Sequence, residues 1–290
     1  MEKIISFQIP KSSREFVRYQ EDRGPHFYDK LHQHPQWQLT VIVEGSGQFL
    51  SGDYVGRFQP GDVFFLGENA PHVFRSDATY FEGNPKLAVA GNTIFFDFEV
   101  LENALLPVEE LQSLRRFREF SGLCFQLHGE SASKIKEAVD QFGGTQGLQR
   151  FQVAIGLLYF LEQAGSSLQQ LNRGGRLLGL SEKDGSRMDR VMQYVLAHRF
   201  QKITLAEVAA EANLTKEAFC RFFKLRTRKT FTDYLLHLRI NEAQKLLQET
   251  DLSISEIAYR VGFENLSYFN RSFKRISGKT PRKFLGLNFF

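Results

Sequence analysis

From Phe27 to Phe98 the chain sets its apolar residues, chiefly Phe, Val and Tyr, in short alternating runs. Turn signals at Gly45-Ser46-Gly47, Ser51-Gly52-Asp53, Pro60-Gly61-Asp62 and Glu68-Asn69-Ala70-Pro71 break these runs roughly every 7–10 residues, the spacing of an antiparallel sandwich or barrel. From Val108 the period lengthens. Leu111, Leu114, Phe117 and Phe120 recur every three residues, and Ala154, Leu157, Leu158 and Leu161 fall at helical spacing. Helices are therefore expected over Val108–Phe120 and Ser131–Gln163. Residues 165–185 turn to Gly, Ser, Gln and Arg with one apolar island, Leu177–Leu180, and read as a linker. Beyond it the apolar period is helical throughout. The pattern predicts an α+β chain of two domains, a β-barrel with flanking helices over 1–164 and an all-α domain over 186–290.

The all-α part repeats itself. Thr204–Ala210 matches Ser253–Tyr259 at an offset of 49. Arg221–Lys224 and Lys229-Thr230 then match Arg271–Lys274 and Lys279-Thr280 at an offset of 50. Each copy opens with Ser or Thr followed three residues later by Glu, the pattern of a capping box. Asn213 and Gly262 occupy matching positions, and both residue types tolerate the left-handed backbone that a tight turn needs. Each copy thus reads as helix, turn, helix, the layout whose second helix enters the DNA major groove. In the first copy Phe219, Phe222 and Phe223 are expected inside, with Lys216, Glu217, Cys220, Arg221 and Lys224 outside. In the second, Phe269, Phe273 and Ile276 turn inward while Ser267, Asn270, Arg271 and Lys274 project. Arg bonds guanine through two donors, Asn bonds adenine likewise, and Lys neutralises phosphate. Between the copies, Phe231, Tyr234, Leu235, Leu238, Ala243, Leu246 and Leu247 mark one long amphipathic helix that could hold both recognition helices in fixed relation.

Charge agrees with this division. The 290 residues carry a net +4, but residues 1–180 sum to −4 and residues 181–290 to +8. The basic half is the one expected to meet a polyanion, double-stranded DNA. The two cysteines, Cys124 and Cys220, fit neither a disulfide framework nor a thiolate cluster and suit a reducing compartment. The apolar run Val153–Leu161 is broken by Gly156 and too short for a membrane span, and Met1–Arg14 lacks a secretory core. The expected location is the cytoplasm, with no membrane partner.

With these motifs in place, Ile203–Leu285 resembles the DNA-binding domain of the AraC/XylS family of bacterial transcription regulators. The resemblance rests on Ile254-Ser-Glu-Ile-Ala-Tyr-Arg-Val-Gly-Phe263, Ser267-Tyr-Phe269 and Phe273-Lys-Arg-Ile-Ser-Gly-Lys-Thr-Pro281. It implies seven helices, two helix-turn-helix units, activation of transcription and RNA polymerase as a partner. By position it assigns base reading to Glu217, Cys220 and Arg221 and to Leu266, Ser267, Asn270 and Arg271. Phosphate contacts fall on Lys224, Lys274 and the Lys279-Thr280 pair. Arg228 stands where the first copy commonly has glycine, a departure that alters the turn or adds a phosphate contact.

In the N-terminal half, period-two geometry places His32, His34, Gln36, Gln38 and Thr40 on one face and Trp37, Leu39, Val41 and Val43 on the other. A second segment, Pro60–Phe74, carries His72 after a turn. Together the two segments resemble the paired motifs of the cupin fold, a small jelly-roll barrel. In metal-binding cupins the corresponding ligands are two His, a Glu and a later His. Here they are His32, His34, Gln38 and His72, and the neutral Gln38 is a weaker ligand than a carboxylate. These four residues are read as the polar wall of an effector pocket, sugar hydroxyls being apt partners, with no metal, no cofactor and no catalytic role assigned. A cupin metalloenzyme joined to a DNA-binding domain is the alternative. The apolar stripes of the helices are expected to pack on the barrel; a homodimer interface is the alternative that the resemblance supports.

Overall fold

The computed structural model describes residues 15–173 and 182–286. The polypeptide divides between Lys183 and Asp184 into two compact units. In the first, β1 (Val17–Gly24), β2 (Trp37–Glu44), β5 (Val63–Leu66), β7 (Val89–Phe96), β8 (Cys124–Leu127) and β9 (Leu168–Gln170) form a six-stranded sheet in the order β1-β7-β2-β5-β8-β9. A three-stranded sheet, β4-β3-β6, is built from β3 (Gly47–Ser51), β4 (Tyr54–Phe58) and β6 (Val73–Ser76). Pairing is antiparallel throughout these strands. Ile42, Phe64, Leu66, Val89 and Cys124 from the large sheet meet Phe49, Phe58 and Phe74 from the small one in a single cluster, the interior of the expected cupin-like barrel.

The opposite face of the large sheet is also covered. Trp37, Leu39 and Val41 of β2 and Val63 and Phe65 of β5 pack against the helices α2 (Gly129–Phe142) and α3 (Gly147–Gln163). Strand β7 runs into a one-turn helix α1 (Phe98–Val100), continued by a π-helical turn, Leu101–Leu105. The run Glu109–Phe120 is a 3₁₀-helix, which explains its three-residue period: at three residues per turn Leu111, Leu114, Phe117 and Phe120 line up on one face. The helix expected over Ser131–Gln163 is two helices. The chain leaves α2 at Gly143 and begins α3 at Gly147, which has φ 53°.

Two further expectations are corrected. Residues 165–173 are not linker: Leu168–Gln170 pairs with β8, and Asn172 is buried. The Asn172 side chain accepts the Cys124 N–H at 2.8 Å and donates to the Gly122 carbonyl at 2.9 Å. Of the rest of the expected linker, 174–181 lie outside the described residues, and 182–185 are not linker but the start of the helix Glu182–His198. Val43 does not join the inner stripe of β2; a bulge between Ile42 and Glu44 shifts the register and leaves it 45% exposed.

The second unit has seven helices among its described residues: α4 (Glu182–His198), α5 (Leu205–Glu211), α6 (Lys216–Thr227), α7 (Phe231–Glu249), α8 (Ile254–Arg260), α9 (Leu266–Ser277) and α10 (Pro281–Leu285). Both capping boxes form, Thr204 with Glu207 and Ser253 with Glu256. Asn213 and Gly262 take left-handed backbone, with φ 51° and 87°. Helix α7 joins the copies. Its Phe231 and Tyr234 rings meet Phe219 and Phe223 of α6. Farther along, its Leu236, Ile240, Ala243 and Leu247 pack with Ile257, Ala258, Phe269 and Phe273 of α8 and α9. Phe222 departs from its expected place. It is only half-buried, lying against the Arg187 and Arg226 guanidinium groups, and its counterpart in the second copy is the buried Ser272.

Arg228 leaves the turn unaltered: it caps α6 at φ 56°, as Gly278 caps α9 at φ 76°. A left-handed L-residue costs about 1–2 kcal/mol, so Arg228→Gly should raise thermal stability by up to about 1 kcal/mol once the looser unfolded chain is counted. At Gly262 an added Cβ would lie 2.7 Å from the Phe200 carbonyl oxygen. Gly262→Ala should therefore lower stability by about 1–3 kcal/mol in a thermal melt, strain and crowding acting together.

Candidate functional site

His32 and His72 are distant in sequence and meet because their main chains pair. The His32 N–H donates to the His72 carbonyl at 3.1 Å, and the His72 N–H donates back at 2.8 Å. The loop before His72 is held by Asn69, whose left-handed backbone, φ 56°, lets its N–H reach the His34 carbonyl at 2.9 Å. The imidazole centroids lie 4.3 Å apart for His32 and His72, 5.2 Å for His34 and His72, and 6.1 Å for His32 and His34. One ring nitrogen from each residue lies within 4.8 Å of those of the other two.

The backbone sets the tautomers. Nδ1 faces a carbonyl in all three rings: Lys30 at 2.9 Å for His32, Gln36 at 2.9 Å for His34 and Ala70 at 2.8 Å for His72. A carbonyl can only accept, so each Nδ1 carries the proton and each Nε2 is left with a lone pair. Burial disfavours the imidazolium and moves the His32 pKa from 6.5 down to about 4; His34 and His72 are lowered too, again chiefly by burial. The cluster is therefore neutral at physiological pH, each ring keeping its one proton on Nδ1. His72 Nε2 is buried and has no hydrogen-bond partner among the described residues.

A polar chain leads away from the cluster along the inner face of the large sheet. The Gln38 amide lies 2.9 Å from His34 Nε2 and 2.8 Å from Thr40 Oγ1. Thr40 and Thr93 sit opposite one another on β2 and β7, their hydroxyls 3.0 Å apart. The Thr93 hydroxyl donates to Asp22 on β1 at 3.3 Å, and burial raises the Asp22 pKa. Thus His32, His34, Gln38 and His72 are brought together as expected, whereas Gln36 contributes only its carbonyl. Sequence reasoning missed Thr93 and Asp22. The signal for Thr93 was the strand register, which a single strand does not display.

On the helical unit, Lys216, Glu217, Cys220, Arg221 and Lys224 of α6 are exposed, as are Leu266, Ser267, Asn270, Arg271 and Lys274 of α9 and Lys279 beyond it. Phe219, Phe223, Phe269 and Phe273 are fully buried beneath them. Thr280 is half-buried, and its hydroxyl accepts the Lys283 N–H at 3.3 Å, so it caps α10. Not every basic residue is at this surface for a ligand. The Nε–H of Arg187 donates to the Ala212 carbonyl at 2.7 Å and that of Arg190 to the Glu211 carbonyl at 3.1 Å, satisfying the C-terminal end of α5. Both cysteines are free; Cys124 is buried, which pushes its thiol pKa up to about 12, and Cys220 is exposed.

A barrel with a neutral polar interior and a doubled helix-turn-helix with cationic outer faces define a ligand-binding transcription regulator. Residues 16–161 match the model of the AraC-like ligand binding domain and residues 208–286 that of a helix-turn-helix domain. The uncharacterized HTH-type transcriptional regulator YdeC of Bacillus subtilis is 32% identical over 269 residues, 90% of this chain and 87% of that protein. The HTH-type transcriptional activator RhaR of Enterobacter sp. is 24% identical over 90% of this chain and 88% of its own length. Among solved structures, the C-terminal domain of AraT, a response regulator from Geobacillus stearothermophilus, is 32% identical over 37% of this chain and 87% of that one, with a TM-score of 0.34. The chain belongs to the AraC/XylS family of DNA-binding transcription regulators. Among the described residues no helix is long and apolar enough to cross a membrane.

The histidine cluster gives stability a pH dependence of defined sign. Between pH 6.5 and about 4 the unfolded chain binds a proton at His32 that the folded chain does not, so this stability is present above pH 6.5 and lost as pH falls toward 4. Buried carboxyls with raised pKa values, such as Asp22, act in the opposite direction. The difference between parent and His32→Asn protein therefore isolates the histidine. In chelator-treated samples the parent should lose more of its melting temperature between pH 7 and pH 4.5 than the variant; parallel profiles would contradict it.

Proposed function

We propose that the chain activates transcription in the cytoplasm when a small molecule occupies its N-terminal barrel. The observation that carries this reading is the pairing of two matched recognition helices, α6 and α9, on the one connector α7, each with a buried aromatic face and an exposed Arg-Lys face. Arg221 and Arg271, at equivalent points, read base edges through two donors each, and Asn270 suits adenine. Leu266 offers apolar contact to a thymine methyl, while Ser267 and Glu217 complete the reading surface. Cys220, a poor hydrogen bonder, adds shape rather than readout. Lys224, Lys274, Lys279 and Lys216 take phosphates and set register. Thr280 serves that surface by fixing the start of α10, beside Lys279.

The effector acts by differential affinity. A ligand that binds one conformer of the barrel more tightly shifts the population toward it, and the DNA affinity of the whole chain shifts with it. Acceptor nitrogens at His32, His34 and His72, with Gln38 beside them, favour a donor-rich partner, sugar hydroxyls among them, over a carboxylate, which would bring lone pairs to lone pairs. RNA polymerase is the expected partner at the promoter, and a second copy of the chain the expected neighbour. We read the protein as a regulator without catalytic activity.

Footprinting and binding titrations test the DNA assignment. Arg271→Ala should weaken binding to the operator by about 1–3 kcal/mol and relax specificity at one base pair. Lys274→Ala should weaken operator and random DNA alike and reduce the salt slope by about 1. Equal losses on specific and random DNA for Arg271→Ala would refute its base-reading role.

A further inference from the structure

A carboxylate on the inner face of the large sheet has no partner of opposite charge. Asp22 of β1 is half-buried, and its register with β7 sets it on the same face as Thr93, Thr40 and Gln38. Arg23, next in sequence, turns to the outer face and pairs with Glu21 at 3.3 Å. Arg18 shares the inner face but stands about 13 Å away along the strand. Burial and two hydrogen bonds are all that act on the Asp22 carboxyl; no cation does.

The hydrogen bonds around it run one way. An ionised carboxylate can only accept. Oδ1 takes the Gln20 amide, and Oδ2 takes the Thr93 hydroxyl at 3.3 Å. With the Thr93 proton so used, the 3.0 Å contact between Thr40 and Thr93 requires Thr40 to donate, and the Gln38 NH2 donates to Thr40 at 2.8 Å. The donors stand in file with their positive ends toward Asp22, and hydrogen bonds so aligned polarise one another. Turning the Gln38 amide over to feed His34 Nε2 would reverse the file and require a protonated Asp22. A cation at Asp22 holds the carboxylate ionised and fixes the direction. It also leaves His34 Nε2 and Gln38 Oε1, 2.9 Å apart, as acceptors for a hydroxyl of the same molecule. Roughly half of the four or so acceptor sites on the carboxylate remain open. Gly91 stands opposite Asp22 in the register, and a Cβ there would lie 3.1 Å from the Phe27 ring. The missing side chain thus admits an aromatic ring next to the carboxylate's position, a pairing suited to an ammonium group.

We propose that Asp22, with the Thr93 hydroxyl and the Phe27 ring, is the subsite for a protonated amine on the effector, which is then an amino alcohol or an aminated sugar rather than a plain sugar. This deepens the reading of the barrel as an effector site and rests on it. A carboxylate held without a counter-ion lowers the stability of the empty barrel, as its raised pKa records, and the ligand's ammonium restores it.

Thermal melts of the full-length protein in amine-free phosphate buffer test the subsite with matched probes: glucosamine against glucose, galactosamine against galactose, and putrescine against butanediol. At least one amine should raise the melting temperature by about 3 °C or more beyond its neutral counterpart. Asp22→Asn should abolish that difference and, with no probe present, melt about 2–4 °C above the parent. Glu21→Gln, on the outer face, should leave the difference unchanged. No amine outperforming its neutral counterpart, a difference that survives Asp22→Asn, or an Asp22→Asn protein that melts below the parent overturns the proposal. A neutral sugar that stabilises as strongly as its amine removes the ammonium subsite while leaving the barrel an effector site, so the two readings fail separately.

Discussion

Strands β2 and β5 are buried on both faces, and that constraint organises the N-terminal unit. Alternate residues, Trp37, Leu39 and Val41 with Val63 and Phe65, must find apolar cover, and α2, α3 and the 3₁₀-helix Glu109–Phe120 provide it. The remaining residues face the second sheet. There, Ile42, Phe64 and Leu66 build a dry core, while Gln38 and Thr40 on the same face stay hydrogen-bonded to His34 and Thr93. A polar group in so enclosed a place is stable only when paired. Among the described residues of this unit, His72 Nε2, Gln36 Oε1 and both amide atoms of Gln48 are buried without a hydrogen-bond partner, so each has something to gain from a ligand or water.

The helical unit solves a different problem. Each helix-turn-helix is small and could not bury its aromatic side chains alone. Helix α7 gives both a common wall: Phe231 and Tyr234 toward the first, Leu236 to Leu247 toward the second. Further ties bind the unit at its surface. Arg239 donates to the Arg199 and Gln201 carbonyls at 2.7 Å each, and Arg275 pairs with Asp233 at 3.0 Å. The excess positive charge thus has two uses. Arg187, Arg190, Arg239 and Arg275 hold helices together, while the cations along α6 and α9 stay exposed.

What could be read ahead of the structure was what depends on neighbours in sequence. Capping boxes, left-handed turn positions and the buried stripe of α7 all formed where the pattern placed them, because each is decided within a few residues. Features decided by distant chain were misread. Residues 165–173 have a linker's composition, yet Leu168–Gln170 completes a sheet edge and Asn172 seals the Cys124 backbone. Val43 fits the alternation, yet a bulge turns it out. Phe222 has the identity of a core residue, yet it lies half-open beneath two arginines.

The histidine cluster divides in the same way. Sequence alone determined that His32, His34 and Gln38 belong to one segment and that His72 follows the next turn, as it determined the doubled reading head and the contrast of −4 and +8 between the halves. Only the tertiary structure decided what the histidines are. The reciprocal main-chain pair between His32 and His72 brings the rings together, and three backbone carbonyls take their Nδ1 protons. Burial then keeps the rings neutral. A residue's place along the chain says which atoms it can offer; the carbonyl opposite each ring, supplied by the fold, says which of its nitrogens holds the proton.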